Sequence, residues 1–319
     1  MKFNLKNPQM EASRDGYGRG LVKLGEKNKN VVALCCDLTE STRVEDFKKK
    51  FPERYIEMGV AEQNMAGIAA GMAIGGKIPF MSSYAVFSPG RNWDQVRVSI
   101  CYSNLNVKIQ GAHAGISVGP DGATHQALED IAITRVLPNM TVIVPCDSSE
   151  GEKATIASAS LNGPVYLRFS RSKTPLITNS ETPFKIGKAE TFRNGKDVCI
   201  VACGAMVYEA LVAAEALESE GISAMVINSH TVKPIDSNAI ISAAKKTGAI
   251  VTAEEHQVNG GLGGAVAEVL GKNFPVPMEI VGIQDTFGES GEPDELLRKY
   301  HCTNKDIFAA VKRAVRRKK

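Results

Sequence analysis

Short apolar runs rich in β-branched residues recur along the first half of the chain and predict β-strands. They lie at residues 30–34, 107–110, 140–144 and 165–169, each bounded by polar or turn-forming residues. Helical patterns separate them, as at residues 92–100 and 148–159. This alternation predicts a mostly parallel α/β sheet with helices on both faces.

A polar stretch at residues 174–183, bounded by proline and without periodicity, is predicted to be a linker. The alternation then restarts, with strands at residues 198–202, 223–227 and 249–252 and helices after Ala205, Asp236, Gly261 and Lys305. We therefore predict two consecutive α/β domains, residues 1–183 with the linker included and a smaller domain at residues 184–319.

Composition excludes several classes of partner. The 319 residues are 43% hydrophobic and 23% charged, as in an ordinary globular protein, and the net charge of +3 is too small to predict binding to nucleic acid or a membrane surface. The first eight residues lack the apolar core of a signal peptide, and no later apolar run is long enough to span a bilayer. Seven cysteines, two of them at Cys199 and Cys203 without a second zinc-spaced pair, predict reduced thiols and a cytoplasmic location.

One carboxylate, Glu62, stands at the start of an apolar helix pattern. The string GVAEQN at residues 59–64 runs directly into MAGIAAGM at residues 65–72. The predicted apolar stripe comprises Met65, Ile68, Ala69 and Met72. The small residues expected to let this helix approach the sheet are Gly67, Ala70 and Gly71. These residues alone support a helix-capping acid and a functional carboxylate about equally.

Further strings carry a family resemblance. Residues 115–126 read GISVGPDGATHQ, residues 231–236 read TVKPID, and residues 254–256 read EEH, followed by GGLG at 260–263. Together with GVAEQN, they resemble the transketolase superfamily of thiamin-diphosphate enzymes across both predicted domains. The glycine-rich string at 260–264 lacks dinucleotide-binding spacing, so we give it no cofactor role.

The resemblance implies a catalytic role for Glu62. In the family this glutamate hydrogen-bonds a ring nitrogen of the aminopyrimidine and drives it to the imino tautomer, which removes the thiazolium proton. Because a helix N-terminus favours the ionised acid, we expect apolar surroundings to oppose it. The other implied cofactor-binding residues are Asp37, Leu38, Tyr84 and Phe87, with Leu38 as a wedge and the two aromatic rings stacking on the pyrimidine. Gly90 stands where a third aromatic residue is usual.

The resemblance also implies a site for a phosphorylated sugar. Positions matching the family's phosphate ligands are Arg14, Ser41, His113 and Arg171. Asp121 and His125 match residues that contact the sugar hydroxyls, and His125 is also a candidate catalytic residue. Each of these residues alone has a local explanation, such as a solvated cation, a core histidine or a turn residue. Their joint occurrence favours the site.

The family's grip on the cofactor diphosphate, Gly-Asp-Gly with a downstream Asn that holds Mg²⁺, is not found in this sequence. The resemblance therefore implies the C-terminal subunit of a two-chain transketolase. It would transfer a two-carbon ketol unit between sugar phosphates in the pentose phosphate pathway. The N-terminal diphosphate-binding subunit would supply the Mg²⁺ ligands, and the two chains would form a heterotetramer.

Three alternatives stay open. The β subunit of a 2-oxo acid dehydrogenase has a similar length and glutamate motif, but the loop at residues 115–126 argues against it. Deoxyxylulose-phosphate synthase shares much of that loop, but it is a longer single chain. The third alternative is a non-catalytic partner subunit, and the presence of Glu62, His113, Asp121 and His125 argues against that role.

Overall fold

The structure, a computed structural model, describes residues 5–318. Its larger sheet has the strand order β12-β6-β7-β5-β4-β2-β3, and only the pairing of β12 with β6 is antiparallel. The strands are β2 (Val31–Cys35), β3 (Tyr55–Glu57), β4 (Ile78–Tyr84), β5 (Lys108–Ala112), β6 (Thr141–Ile143), β7 (Val165–Arg168) and β12 (Thr231–Lys233). All four strands predicted in the first half are present within a residue or two of their expected bounds.

The helices of the first half flank this sheet. They are α1 (Ser13–Lys27), α2 (Glu45–Lys50), α3 (Glu62–Ile74), α4 (Trp93–Gln95), α5 (Asp130–Arg135) and α6 (Ser148–Ser158). The helix predicted at residues 92–100 is instead the short α4 followed by a π-helix, Val96–Tyr102. Helices α1 and α6 pack closely at Gly16. A Cβ at this position would collide with the Ser148 carbonyl, so the close packing requires glycine.

A second sheet has the order β14-β13-β10-β11-β9, with only β9 antiparallel to its neighbour. Its strands are β9 (Glu190–Arg193), β10 (Val198–Ala202), β11 (Ala224–Asn228), β13 (Ile250–Gln257) and β14 (Met278–Ile283). The accompanying helices are α7 (Met206–Ser219), α8 (Ser237–Thr247), α9 (Leu262–Asn273), α10 (Pro293–Lys299) and α11 (Asn304–Arg316). The predicted fold class, two consecutive mostly parallel α/β domains, is confirmed.

The linker prediction is partly wrong. Its first residues belong to β8 (Lys173–Pro175), which pairs antiparallel with β1 (Met10–Ala12). Beyond this strand the chain is anchored too, because the backbone N–H groups of Ile177 and Thr178 donate to the buried carboxylate of Asp147. Residues 176–189 contain no helix or strand. Strand β12 comes from the second half of the sequence but joins the first sheet, and the boundary near residue 184 stays a prediction.

The prediction for the surface of α3 is also partly wrong. Met65 and Ala69 are buried as expected, but the Ile68 side chain is 41% exposed. A Cβ built on Gly67 or Gly71 would meet no atom within 4 Å, so these glycines do not bring the helix close to the sheet. Ala70, the third of the small residues, is buried as expected, and so is Ala66, which was not predicted. Gly67, Ile68 and Gly71 leave one partly apolar face open.

The described cysteines are all free and buried, in keeping with reduced core thiols. Within residues 5–318, no helix is long and apolar enough to cross a membrane. Near the C-terminal end of α11, Arg313 and Arg317 both pair with Glu279 of β14.

Candidate active site

The predicted site residues gather at one edge of the larger sheet. Strands β7, β5, β4 and β2 are adjacent and parallel, so their carboxyl ends lie together, where α/β sheets bind ligands. Residues at or just beyond these ends are Asp37, Leu38 and Ser41 after β2, Tyr84 and Phe87 at β4, His113 after β5, and Arg171 after β7. The chain topology thus brings together residues that are far apart in the sequence.

Glu62 is the first residue of α3 and is only 1% exposed. Its Oε2 accepts a hydrogen bond from Arg91 Nη1 at 2.6 Å, and its Oε1 accepts one from Ser83 Oγ at 3.3 Å. Both side-chain hydrogen bonds run to Ser83 and Arg91 and not to the helix backbone, so they give no support for a simple cap. The expectation of apolar surroundings was wrong, because the carboxylate faces a guanidinium and a hydroxyl.

Sequence reasoning missed Arg91. Its guanidinium carbon lies 4.4 Å from the Phe87 ring centroid, so it covers this ring while it pairs with Glu62. The Arg91 side chain is 44% exposed, whereas Glu62 is buried. A Cβ at the neighbouring Gly90 would collide with the Val86 carbonyl, so no side chain fits there without a backbone shift. A partner of this kind could have been expected from the sequence, because a buried carboxylate requires a cation or several N–H donors.

Four rings form a cluster beside this pair. Tyr84 stacks on His113 with centroids 3.8 Å apart and also lies parallel to Phe87 at 5.9 Å. His125 meets both Tyr84 and Phe87 edge-on, at 6.2 and 5.3 Å. The structure therefore places the predicted cofactor residues Tyr84 and Phe87 directly against the predicted substrate residues His113 and His125.

His113 is buried next to a cation. Arg14 Nη1 lies 3.2 Å from His113 Nε2 and also donates to the Ser41 carbonyl at 2.7 Å. Desolvation, and secondarily the charge of Arg14, lowers the pKa of His113 to about 2, so the ring is neutral. Its Nε2 then accepts from Arg14 and its Nδ1 carries the hydrogen. Within residues 5–318, His113 Nδ1 and Arg14 Nε are buried without a hydrogen-bond partner.

The loop carrying Asp121 and His125 closes one side of the site. Arg171 Nη1 donates to the Val118 carbonyl at 2.7 Å and lies 3.5 Å from Asp121 Oδ1. The His125 Nδ1 lies 2.9 Å from Thr124 Oγ1. Asp121 and His125, the two predicted sugar-contacting residues, thus lie on a loop that is hydrogen-bonded to Arg171, which follows β7.

Asp37 and Leu38 stand somewhat apart. The Asp37 backbone N–H donates to Glu57 Oε1 at 2.8 Å, and the Leu38 carbonyl accepts from Thr42. Their hydrogen bonds thus lead to β3 and to the following turn rather than to the ring cluster. In the part of the chain that the structure describes, no group of three or more His, Cys, Asp or Glu residues could hold a metal ion.

Fold and site together define a two-domain α/β chain whose candidate site lies at the carboxyl edge of the first sheet. The family model for the transketolase pyrimidine-binding domain matches residues 9–176, and the model for the transketolase C-terminal domain matches residues 187–307. The chain belongs to the transketolase family.

Its relatives include separate transketolase subunits. The chain is 46% identical to the 6-deoxy-6-sulfo-D-fructose transketolase subunit of Clostridium sp. strain MSTE9, over 96% of this chain and 95% of that one. It is 39% identical to a subunit of the apulose-4-phosphate transketolase of Phocaeicola vulgatus, over 93% and 96%. A solved split-gene transketolase, described as an inactive beta4 tetramer, matches with 49% identity and a TM-score of 0.91 over 97% and 99% of the two chains. The chain is therefore a transketolase-type enzyme subunit.

Proposed function

We propose that this chain binds the pyrimidine end of thiamin diphosphate at Glu62 and the anionic end of a sugar substrate at Arg14, His113 and Arg171. One observation carries the proposal: a buried carboxylate lies at the same sheet edge as two buried N–H donors without partners. The carboxylate suits a ring that offers hydrogen-bond donors, and the free donors suit an anion. Both kinds of ligand belong to the reaction of the family.

The residues fit the pyrimidine half of the cofactor. Glu62 presents a buried acceptor, and Phe87 presents an aromatic face, but Arg91 covers both in this structure. Because the Arg91 side chain is about half exposed, it can turn into solvent and release the two groups. The cofactor, when bound, supplies the nucleophilic carbon that takes up the two-carbon ketol unit. Glu62 then holds or shares a proton at the pyrimidine ring.

On the substrate side, Arg14 and the neutral His113 would donate to the terminal anion of the sugar, joined by Arg171 from the loop edge. Asp121 and His125 would contact hydroxyls nearer to the transferred carbons. The two named relatives act on a sulfonated sugar and a sugar phosphate. We propose that these donors recognise a terminal phosphate or sulfonate. A role in the pentose phosphate pathway is one form of this function, and we propose a cytoplasmic location for it.

The diphosphate and Mg²⁺ ligands are proposed to come from an N-terminal partner subunit. The open face of α3, defined here as Gly67, Ile68, Gly71 and Ile74, suits an interface with that subunit. Its helix begins at Glu62, so a chain seated there would also enclose the carboxylate. The pair of chains would associate further into a heterotetramer.

The test is reconstitution. The purified chain alone should bind thiamin diphosphate weakly and transfer no ketol units, whereas mixing with a subunit that carries the diphosphate grip should restore transfer. Ile68→Glu should prevent this activation without unfolding the isolated chain, because Ile68 lies on the open face of α3. Lys305→Glu, at the distant α11, is the matched surface control. Robust turnover by the isolated chain would overturn the proposal.

A further inference from the structure

The loop at residues 115–126 has little regular structure of its own. It contains one short 3₁₀ turn, Ile116–Val118, and glycines with positive φ at Gly115, Gly119 and Gly122. Such a segment needs contacts from outside to hold one conformation. It carries Asp121 and His125, so its position determines where these two side chains stand.

The C-terminal domain supplies a specific contact at the start of this loop. Glu255, on β13, is 5% exposed, and its Oε1 accepts a hydrogen bond from the Ser117 backbone N–H at 2.6 Å. A Cβ at Gly115 would collide with the same carboxylate oxygen. Glycine at position 115 is therefore what allows the carboxylate to approach the loop backbone.

Glu255 is itself held in place by a buried cation. Arg168 Nη2 donates to the Glu255 main-chain carbonyl at 2.9 Å, while Arg168 Nε donates to Asp130 Oδ2 at 2.7 Å. Asp130 begins α5, a few residues beyond the loop, and Arg168 lies on β7. The Arg168 guanidinium thus links Glu255 of the C-terminal domain to Asp130, which follows the loop in the first domain.

A second contact holds the other end. Gln126 Nε2 donates to the Glu289 carbonyl of the C-terminal domain at 2.9 Å and to the Ile116 carbonyl of the loop at 3.2 Å. The C-terminal domain therefore contacts both ends of the loop, at Ser117 and at Gln126. Asp121 and His125 lie on the segment between these two points.

We infer that Glu255 is a positioning residue for the transketolase reaction: it fixes the loop backbone from the C-terminal domain and thereby places Asp121 and His125 at the substrate. The substrate part rests on the function proposed above. Glu255 would act through the loop and would not touch the substrate. The EEH motif of the sequence thereby acquires a role for its middle residue.

The experiment compares Glu255→Ala with Glu255→Gln in the complex reconstituted with the partner subunit. Alanine removes the acceptor, whereas the glutamine carbonyl oxygen can still accept from Ser117. Hydrogen–deuterium exchange of peptides spanning residues 113–126 should be about tenfold faster in the alanine variant, because a hydrogen bond to a charged group is lost. KM for the sugar substrate should rise by a similar factor, and glutamine should restore most of both effects.

Glu150→Ala is the matched control. Glu150 is also a buried carboxylate between the two domains, accepting from Cys146 N and Asn228 Nδ2, but it does not contact the loop. The Glu150→Ala variant should weaken the contact between the domains without a selective increase in hydrogen–deuterium exchange at residues 113–126. Circular dichroism verifies that each variant is folded.

Three results would overturn the inference. They are unchanged loop exchange in folded Glu255→Ala, faster exchange with an unchanged KM, and a glutamine variant that behaves like the alanine variant. If the wild-type complex itself transfers no ketol units, the proposed function fails separately, while the exchange experiment still tests the contact between Glu255 and the loop. If glutamine behaves like alanine, acceptance from Ser117 is not what positions the loop.

Discussion

Glu62 and Glu255 are both buried carboxylates, but their partners differ in kind. Glu62 pairs with a cation whose own side chain is 44% exposed. Glu255 accepts from the backbone of a packed loop, and buried Arg168 holds its main chain. A partner that faces solvent can be exchanged for a ligand at little cost, whereas a partner in the packed backbone cannot. The first arrangement suits a reactive group and the second suits a positioning group.

The largest expected effect comes from Glu62→Gln in the assembled complex. Glutamine keeps the size and can still hydrogen-bond the pyrimidine, but it cannot share a proton. Thiazolium proton–deuterium exchange in the bound cofactor should slow by about 10² to 10⁴, while cofactor affinity falls only modestly. Glu150→Gln, equally buried, is the control. Wild-type exchange in a folded, assembled Glu62→Gln variant would make Glu62 a structural residue.

Glu150 extends the comparison to pH, because like Glu255 it is a buried carboxylate that accepts a backbone N–H, here from Cys146. Desolvation raises the pKa of Glu150 to about 7. The folded state thus binds a proton that the unfolded state releases near pH 4.5, so this contribution to stability is present below that pH and is lost as the pH rises towards 7. The stability of wild type relative to Glu150→Gln should fall by at most about 3 kcal/mol over this window.

Urea unfolding at several pH values measures this difference. A Glu53→Gln variant, altered at an exposed carboxylate, should give a nearly constant difference from wild type. A constant difference for Glu150→Gln as well would mean that the buried carboxylate titrates alike in the folded and unfolded states.

Arg171 resembles Arg91 because its side chain is 36% exposed, so its carboxylate partner Asp121 can be exchanged for a ligand. Arg171→Ala should raise KM for phosphorylated sugars about tenfold, because a charge-assisted contact is lost. KM for unphosphorylated analogues should rise far less, because for them only the hydrogen bond from Arg171 to the loop carbonyl of Val118 is lost. His113→Ala should likewise raise KM for phosphorylated sugars far more than for unphosphorylated analogues. Arg135→Ala, which breaks an ion pair with Glu268 elsewhere, is the control. Equal losses for both substrates would assign Arg171 and His113 to structure.

The smallest expected effect concerns the pair of Arg91 and Glu62 in the isolated chain. Arg91→Gln leaves the buried carboxylate without its cation and should lower the free energy of unfolding by at most about 1 kcal/mol, since Arg91 is half exposed. In a Glu62→Gln background the loss should disappear. Urea unfolding of the four variants gives the coupling. Equal losses in both backgrounds would show that Arg91 stabilises the chain independently of Glu62.

The sequence alone determined the two α/β domains, the family and seven of the fourteen strands within the described residues. Periodicity and turn residues are local, so they located β2, β5, β7 and the helices after Ala205 and Gly261. The motifs also selected the site candidates, and the sheet topology brings most of them to one edge. What those residues do there stays a prediction from the resemblance.

Tertiary structure decided which groups meet. Arg91 and Glu62 are 29 positions apart, and Ser117 and Glu255 are 138 apart, so no local pattern reports either contact. The same holds for β8, which needs β1 as its partner, and for the open face of α3, whose apolar residues look like core in a helical pattern. Apolar spacing gives the period of a helix, but only packing against the sheet determines which face is buried and which stays exposed.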